Sequence, residues 1–313
     1  MELQGLVTRN TGCRYDVRTS EGSLFSCTLG GAHRLRGSRT TNPVAIGDVV
    51  TLRALTATSG RITAIAPRRN YIIRRATNLS KEAHILAANI DRAVLLATLN
   101  HPPTTTLFID RFLATATAYH IPVILAFHKS DRYTVEERGE AEELMKLYGS
   151  IGYPAYLVST YSGEGVEALS AQLGEGLTLL AGHSGTGKTS LINRLVPEAG
   201  LAVGDFSERH HRGTHTTAAS VVLPYGEGAY LIDSPGVKGF ATIDIGAQEV
   251  SHYFPEIFRL SSDCRFDNCS HRHEPGCAVL AALAEGRAYP SRYRSYLNIL
   301  EDALHPDRYR PAY

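Results

Sequence analysis

The segment Gly182-His183-Ser184-Gly185-Thr186-Gly187-Lys188-Thr189 constrains this chain more than any other, because it fits G-x-x-x-x-G-K-[ST]. The apolar run 177–181 before it reads as a buried strand, and 190–195, opening on Ser190, reads as a helix. Strand, glycine-rich loop and helix in that order make a phosphate cradle. The glycines let successive backbone N–H groups turn toward one anion, and the helix N-terminus adds partial positive charge. Lys188 is then expected at the β- and γ-phosphates of a nucleotide, and the Thr189 hydroxyl at its Mg²⁺.

Such a loop needs a parallel sheet to carry it. Residues 93–99, 122–127, 155–158 and 177–181 are apolar runs of strand length, while 109–119, 135–148 and 166–173 carry helical patterns. Strands alternating with helices predict a mostly parallel sheet covered on both faces.

Two further pieces follow the loop. Residues 229–233 form an apolar strand that ends in Asp233-Ser234-Pro235-Gly236. Asp233 is placed to hold Mg²⁺ through water, and the Gly236 N–H to meet the γ-phosphate. Between them lies Gly213-Thr214-His215-Thr216-Thr217. A threonine there can bond Mg²⁺ and the γ-phosphate only while that phosphate is present, which makes an order–disorder switch. Thr216 and Thr217 are both candidates, with Thr217 preferred.

Base selection points to His128-Lys129-Ser130-Asp131 at the end of the 122–127 strand. Asp131 can accept hydrogen bonds from N1 and N2 of guanine, which adenine cannot match. Lys129 can lay its aliphatic stem on the base. His128 stands where an asparagine is expected, and its imidazole can donate one hydrogen bond. Val158-Ser159 is positioned to form the remaining base-facing loop. The base-reading pieces thus precede the phosphate loop, the reverse of an ordinary small GTPase. A circular permutation builds the same sheet, and it places the segment after Asp233 next to the C-terminal region.

The flanks differ from the centre. Residues 1–66 hold β-rich runs at 3–9, 15–18, 23–28, 49–54 and 62–65, which predict a small OB-type barrel, with an SH3-like barrel as the alternative. Residues 1–80 carry 12 Lys+Arg against 4 Asp+Glu, and the remainder 20 against 27. The formal net charge of +1 therefore hides a basic N-terminal third, suited to a polyanion. Arg34, Arg36 and Arg39, with the connector Arg68, Arg69, Arg74 and Arg75, are the expected phosphate contacts. A solvated linker is the other reading of the connector.

At the far end, Cys264, Cys269, His271 and Cys277 follow C-x4-C-x-H-x5-C in a polar stretch too poor in apolar residues to order itself by burial. Tetrahedral Zn²⁺ would supply the folding energy, and with four protein ligands the ion would be structural. His273 competes with His271 as ligand. Cys13 and Cys27 read as small core residues. A helical tail near 289–304 completes a division into 1–66, 67–250 and 251–313. No apolar stretch of about 18 residues occurs, no basic-then-apolar leader is visible, and five cysteines do not make a disulfide scaffold. The expectation is a cytoplasmic protein without a membrane segment.

The permuted motif order, the barrel and the cysteine cluster together resemble the ribosome small-subunit-dependent GTPases, the RsgA family. Arg68-Arg69-Asn70, Ala87-Ala88-Asn89-Ile90-Asp91, Gly182–Ser190, His215-Thr216-Thr217, Asp233-Ser234-Pro235-Gly236-Val237 and Phe254-Pro255-Glu256 add to it, and the resemblance covers nearly the whole chain. It implies a GTPase that joins the small ribosomal subunit late in maturation and contacts rRNA through barrel and zinc domain; a monomer is expected. It also implies GTP hydrolysis to GDP stimulated by the subunit. The family usually carries Asn at the place of His128, and often a third threonine at the place of Ala218. Val237 stands where many GTPases place a water-orienting glutamine. The family's histidine implicated in hydrolysis matches His215, with a packing or RNA-contacting histidine as the other reading. Competing functional readings are a nucleotide-gated rRNA-binding protein with little productive hydrolysis, a large-subunit GTPase and an ATPase.

Overall fold

The computed structural model describes residues 2–30, 43–75, 83–201, 221–233 and 245–305. The first unit is a closed barrel of β1 (Glu2–Asn10), β2 (Tyr15–Thr19), β3 (Leu24–Leu29), β4 (Val49–Ala54) and β5 (Ser59–Ile65). The strands run β1-β2-β3-β5-β4, and β4 pairs back onto β1. Closure leaves no open edge to template association. Alternating residues of these strands, among them Val7, Val17, Phe25, Cys27, Leu52 and Ile62, fill the interior. Cys27 is thus a core residue, as expected. Cys13 is not: it is exposed, in the turn between β1 and β2, where no strand alternation directs a side chain inward.

The basic connector is structured. Its second half lies in β6 (Tyr71–Arg75), which pairs with β7 (Ala83–Ala88) as an antiparallel ribbon. Arg68 places Nε and Nη2 on the two carboxylate oxygens of fully buried Asp48, at 2.6 and 2.7 Å. Arg69 bonds Asp91 at 2.7 Å. The expected phosphate contact therefore fails for Arg68, whose guanidinium is bidentately committed inside the protein. Arg34, Arg36 and Arg39 lie outside the described residues, as do the side chains of Arg74 and Arg75. The barrel docks closely here. Gly47 has φ +84°, and a Cβ on it would sit 2.1 Å from the Ala88 carbonyl oxygen, so only glycine permits this approach. Asn89 completes the joint, donating to the Gly47 carbonyl and accepting from the Arg69 N–H.

The central sheet contains β8 (Arg92–Ala97), β9 (Val123–His128), β10 (Ala155–Val158), β11 (Gly176–Gly182), β12 (Val221–Pro224) and β13 (Ala229–Asp233). Their order is β10-β9-β8-β11-β13-β12, parallel except for β12 against β13. Four helices flank it: α1 (Thr106–Ala118), α2 (Val135–Ser150), α3 (Val166–Leu173) and α4 (Lys188–Leu195). Leu95, Leu125, Phe127 and Leu179 face Phe112 of α1 and Tyr148 of α2. Val94, Leu96, Ile124 and Leu180 face Leu169 of α3 and Leu191 of α4. The near-continuous apolar strands follow from burial on both faces. The α2 start is fixed by a capping box in which Thr134 accepts from the Glu137 N–H and Glu137 accepts from the Thr134 N–H. The chain lays down β9 and β10 on one side of β8, then crosses back to form β11 on the other. The reversal leaves a crevice beyond the C-terminal ends of β8 and β11, where ligands bind in such sheets.

Beyond a 3-10 turn (Ala247–Tyr253) come α5 (Pro255–Ser261), α6 (Ala278–Ala284) and α7 (Pro290–Leu304). Val250, Phe254, Ile257, Val279, Tyr296 and Ile299 form their core, which also takes in Ala114 of α1. One buried charge group locks this unit to the sheet domain. Arg292 of α7 donates to Asp110 of α1 at 2.6 Å and to Glu256 of α5 at 2.7 Å. Tyr148 of α2 donates to the same Asp110 oxygen, and the guanidinium lies 4.6 Å from the Phe254 ring centroid. Among the described residues no helix is long and apolar enough to cross a membrane.

Arg292→Ala would leave two buried carboxylates facing each other without their cation. A loss of about 3–5 kcal/mol is expected in urea or thermal unfolding; a loss under about 1 kcal/mol would show that water relieves the pair.

Candidate functional site

The phosphate loop leaves the C-terminal end of β11 into the crevice. Gly182 pairs with Leu96 of β8 on one side, and Leu180 with Asp233 of β13 on the other. Asp233 and the loop therefore emerge side by side. Gly187 caps α4 in the left-handed region, and Lys188 opens the helix. The buried Lys188 ammonium donates to the carbonyls of Gly182 and His183, both at 2.7 Å. Burial pushes Lys188 down and Asp233 up from their ordinary values, and each charge counters the shift of the other. Thr189 and Ser190 are half-buried on the first turn of α4, while Ser184 and Gly185 are exposed. Thr189 and Asp233 are the described residues able to hold Mg²⁺, as hard oxygen donors at adjoining chain ends. Gly236, His215, Thr216 and Thr217 lie outside the described residues.

The base-reading pieces end the two strands on the far side of β8. Val158 of β10 pairs with His128 of β9, so the loops after them are neighbours. Lys129 has φ +63°, and its ammonium donates to the His101 carbonyl at 2.7 Å. Asp131 is exposed, with one carboxylate oxygen accepting from the buried Ser159 hydroxyl. Ser159 in turn accepts from the N–H groups of Tyr161 and Ser162. Its hydroxyl thus aims Asp131. His128 does not stand at the surface of this pocket: it is buried, and its Nδ1 lies 2.8 Å from the Thr186 carbonyl oxygen in the phosphate loop. Burial pushes its pKa below the ordinary histidine value, with the Thr186 carbonyl opposing and Lys129 reinforcing the shift.

Sequence reasoning overlooked the segment between β8 and α1. His101 receives Lys129, Pro102 lies against Gly185, and the Phe108 ring packs on His183 with centroids 3.8 Å apart and planes tilted by 32°. The signal available was the turn chemistry of Asn100-His101-Pro102-Pro103 directly after a buried strand. Glu164 was also missed; it accepts from Ser130 and Arg138 and braces the turn that carries Asp131.

The second cluster lies between α5 and α6. One ligand atom each from Cys264, Cys269, His271 and Cys277 falls within 4.8 Å of the others. His271 Nδ1 is 3.6 Å from the Cys264 sulfur and 3.5 Å from that of Cys277. Metal–sulfur and metal–nitrogen bonds of zinc length, set at the tetrahedral angle, give an edge of about 3.6 Å. The donor set therefore fits Zn²⁺. His271 is held in a left-handed conformation (φ +56°), its carbonyl accepting from the Tyr293 hydroxyl. His273 is exposed and stands outside the cluster.

Phosphate loop, Asp233 and the two base-side loops converge on one crevice in permuted order along the chain. Such a fold and site define a circularly permuted P-loop GTPase. The family described as RsgA GTPase matches residues 65–243. A Porphyromonas gingivalis protein named small ribosomal subunit biogenesis GTPase RsgA is 55% identical, covering 99% of this chain and all of that one. Small ribosomal subunit biogenesis GTPase RsgA 2 of Bacteroides thetaiotaomicron is 48% identical over the same shares. Among solved structures, YjeQ from Thermotoga maritima superposes with a TM-score of 0.81 at 29% identity, covering 97% of this chain and 99% of that one. YloQ, a circularly permuted GTPase, gives 0.76 at 25% identity, covering 100% and 98%. The chain belongs to the RsgA GTPase family.

Gly187 tests the cradle directly. With φ +97°, a Cβ there would lie 2.4 Å from Cε1 of His128. Gly187→Ala is expected to weaken GDP binding about ten- to hundredfold by calorimetry, with the far-UV circular dichroism unchanged. Wild-type affinity would mean the loop does not hold the nucleotide.

Proposed function

We propose that this chain is a GTPase of small ribosomal subunit biogenesis, hydrolysing GTP to GDP and phosphate under stimulation by the subunit. The observation that carries this reading is the convergence of Lys188, Asp233 and Asp131 at the C-terminal ends of β11, β13 and β9 of one sheet, in the family's permuted order. Lys188 would leave its loop carbonyls for the β- and γ-phosphates. Backbone N–H groups from Gly182 to Thr189 would surround the same charge where it develops in the transition state. Asp131, held by Ser159, would accept from the guanine N1 and N2 donors, while the Lys129 stem covers the ring. A bound Mg²⁺ would neutralise phosphate charge, held by Thr189, by Thr217 or Thr216 and, through water, by Asp233. Gly236 would give its N–H to the γ-phosphate.

The residue after Gly236 is Val237, which cannot orient water. His215 takes that role in this reading, by the family resemblance, once the subunit orders its segment. The basic barrel, with Arg34, Arg36 and Arg39, would meet rRNA phosphates. One structural Zn²⁺ on Cys264, Cys269, His271 and Cys277 would hold the C-terminal unit. The protein would work as a cytoplasmic monomer whose parts divide at 1–66, 67–250 and 251–313.

Phosphate release from GTP and ATP should be measured with and without purified small ribosomal subunits. GTP-selective turnover that rises at least tenfold with subunits is expected, and His215→Ala should remove most of the rise. Slow, unstimulated turnover with intact GTP binding would replace this reading with a nucleotide-gated RNA-binding protein.

Metal content gives a separate check. One zinc per chain is expected by elemental analysis. Cys269→Ser should lower it and unfold the C-terminal unit at reduced temperature; full zinc content in that variant would remove Cys269 from the ligand set.

A further inference from the structure

We propose that His128 is a positioning residue that holds the phosphate loop in shape and does not read the base, so that guanine selection falls to Asp131. The inference rests on the nucleotide site described above.

The hydrogen-bond polarity argues for it first. The partner of Nδ1 is a carbonyl oxygen, which can only accept, so Nδ1 must carry the proton. In the neutral ring Nε2 is then a bare lone pair. The guanine atoms that Asp131 leaves unread, O6 and N7, are both acceptors. A bare Nε2 cannot serve either of them. Protonation would supply a donor, but burial opposes it. Nε2 is also enclosed, with no hydrogen-bond partner among the described residues, and the whole residue is only 2% exposed.

Packing gives the second argument. The ring sits so close over the cap of α4 that Gly187 has no room for a Cβ. Strand order gives the third. β9 and β11 are not neighbours, because β8 lies between them. His128 therefore reaches past the end of β8 to tie two loops that the sheet does not join. The tie fixes the Thr186–Gly187 peptide, the turn that delivers Lys188 and Thr189. A cradle held in shape before binding spends less of its interaction energy on ordering.

The two imidazole nitrogens can be separated by isosteres. An Asn amide nitrogen lies as many bonds from the backbone as Nδ1, whereas a Gln amide nitrogen reaches toward the place of Nε2. Competition against fluorescent GDP, with Mg²⁺ present, should be run with GDP, ADP and 7-deaza-GDP. ADP lacks O6, and 7-deaza-GDP lacks N7. Wild type, His128→Ala, His128→Gln and His128→Asn are compared, each checked for folding by circular dichroism. His128→Ala and His128→Gln are expected to weaken all three ligands by the same factor, about tenfold. His128→Asn should stay within about threefold of wild type for GDP.

The proposal is overturned if the Ala or Gln variant changes the GDP:ADP or GDP:7-deaza-GDP ratio more than threefold. It is also overturned if Gln rescues where Asn does not, or if neither Ala nor Gln weakens binding. Should the Ala variant not fold, the Gln and Asn pair decides alone. A wild type without preference for GDP over ADP would instead sink the guanine reading, while uniform weakening in the variants would still report the tie.

Discussion

The parallel pairing of β11 between β8 and β13 is the constraint on which the rest depends. It puts the phosphate loop at the centre of the sheet, with Asp233 beside it and the base-side loops on the far side of β8. Backbone register thereby brings together residues more than a hundred positions apart. Register alone does not set the loop's shape, however. That comes from the carbonyls of Gly182, His183 and Thr186, which are held by Lys188, by the Thr186 hydroxyl and by His128. Every one of these contacts uses a loop carbonyl, and so takes up none of the loop's N–H groups.

Helix α1 performs two jobs. Its first turn supplies Phe108, packed on His183 of the phosphate loop. Asp110 and Arg111, immediately after, bond Arg292 and Asp302 of α7. The C-terminal unit therefore does not hang from the chain end alone; it is bolted to the helix that walls the nucleotide crevice. The triad carries one cation against two carboxylates, and burial pushes Asp110 above the ordinary carboxylate range even beside Arg292. Such a group contributes specificity of docking more than net stability, because desolvation offsets much of its attraction.

Elements with a local signature were legible in the sequence. The phosphate loop, the buried strands, the five-strand barrel and the C-x4-C-x-H-x5-C spacing each announce themselves within a few residues. Long-range chemistry was not. Arg292 meets Glu256 and Asp110 from 36 and 182 positions away, and no pattern along the chain singles it out. The connector arginines misled for a related reason. A cluster of charge reads as a surface for an external anion until the fold shows that Asp48, 20 residues earlier, is the anion for Arg68. His128 was read by its position in a motif. Its burial against Thr186, 58 residues on, is a tertiary fact.

The permutation has a mechanical consequence. In this chain order the strand ending in Asp233 is the last described strand of the sheet, and the next described residue, Ile245, already packs in the C-terminal core. The cysteine-bearing unit thus follows the sheet directly along the described chain. That unit is itself fixed to α1 through Arg292. A displacement of that unit therefore has to carry α1, whose Phe108 packs on the phosphate loop, along with it, because packed cores are not continuously deformable.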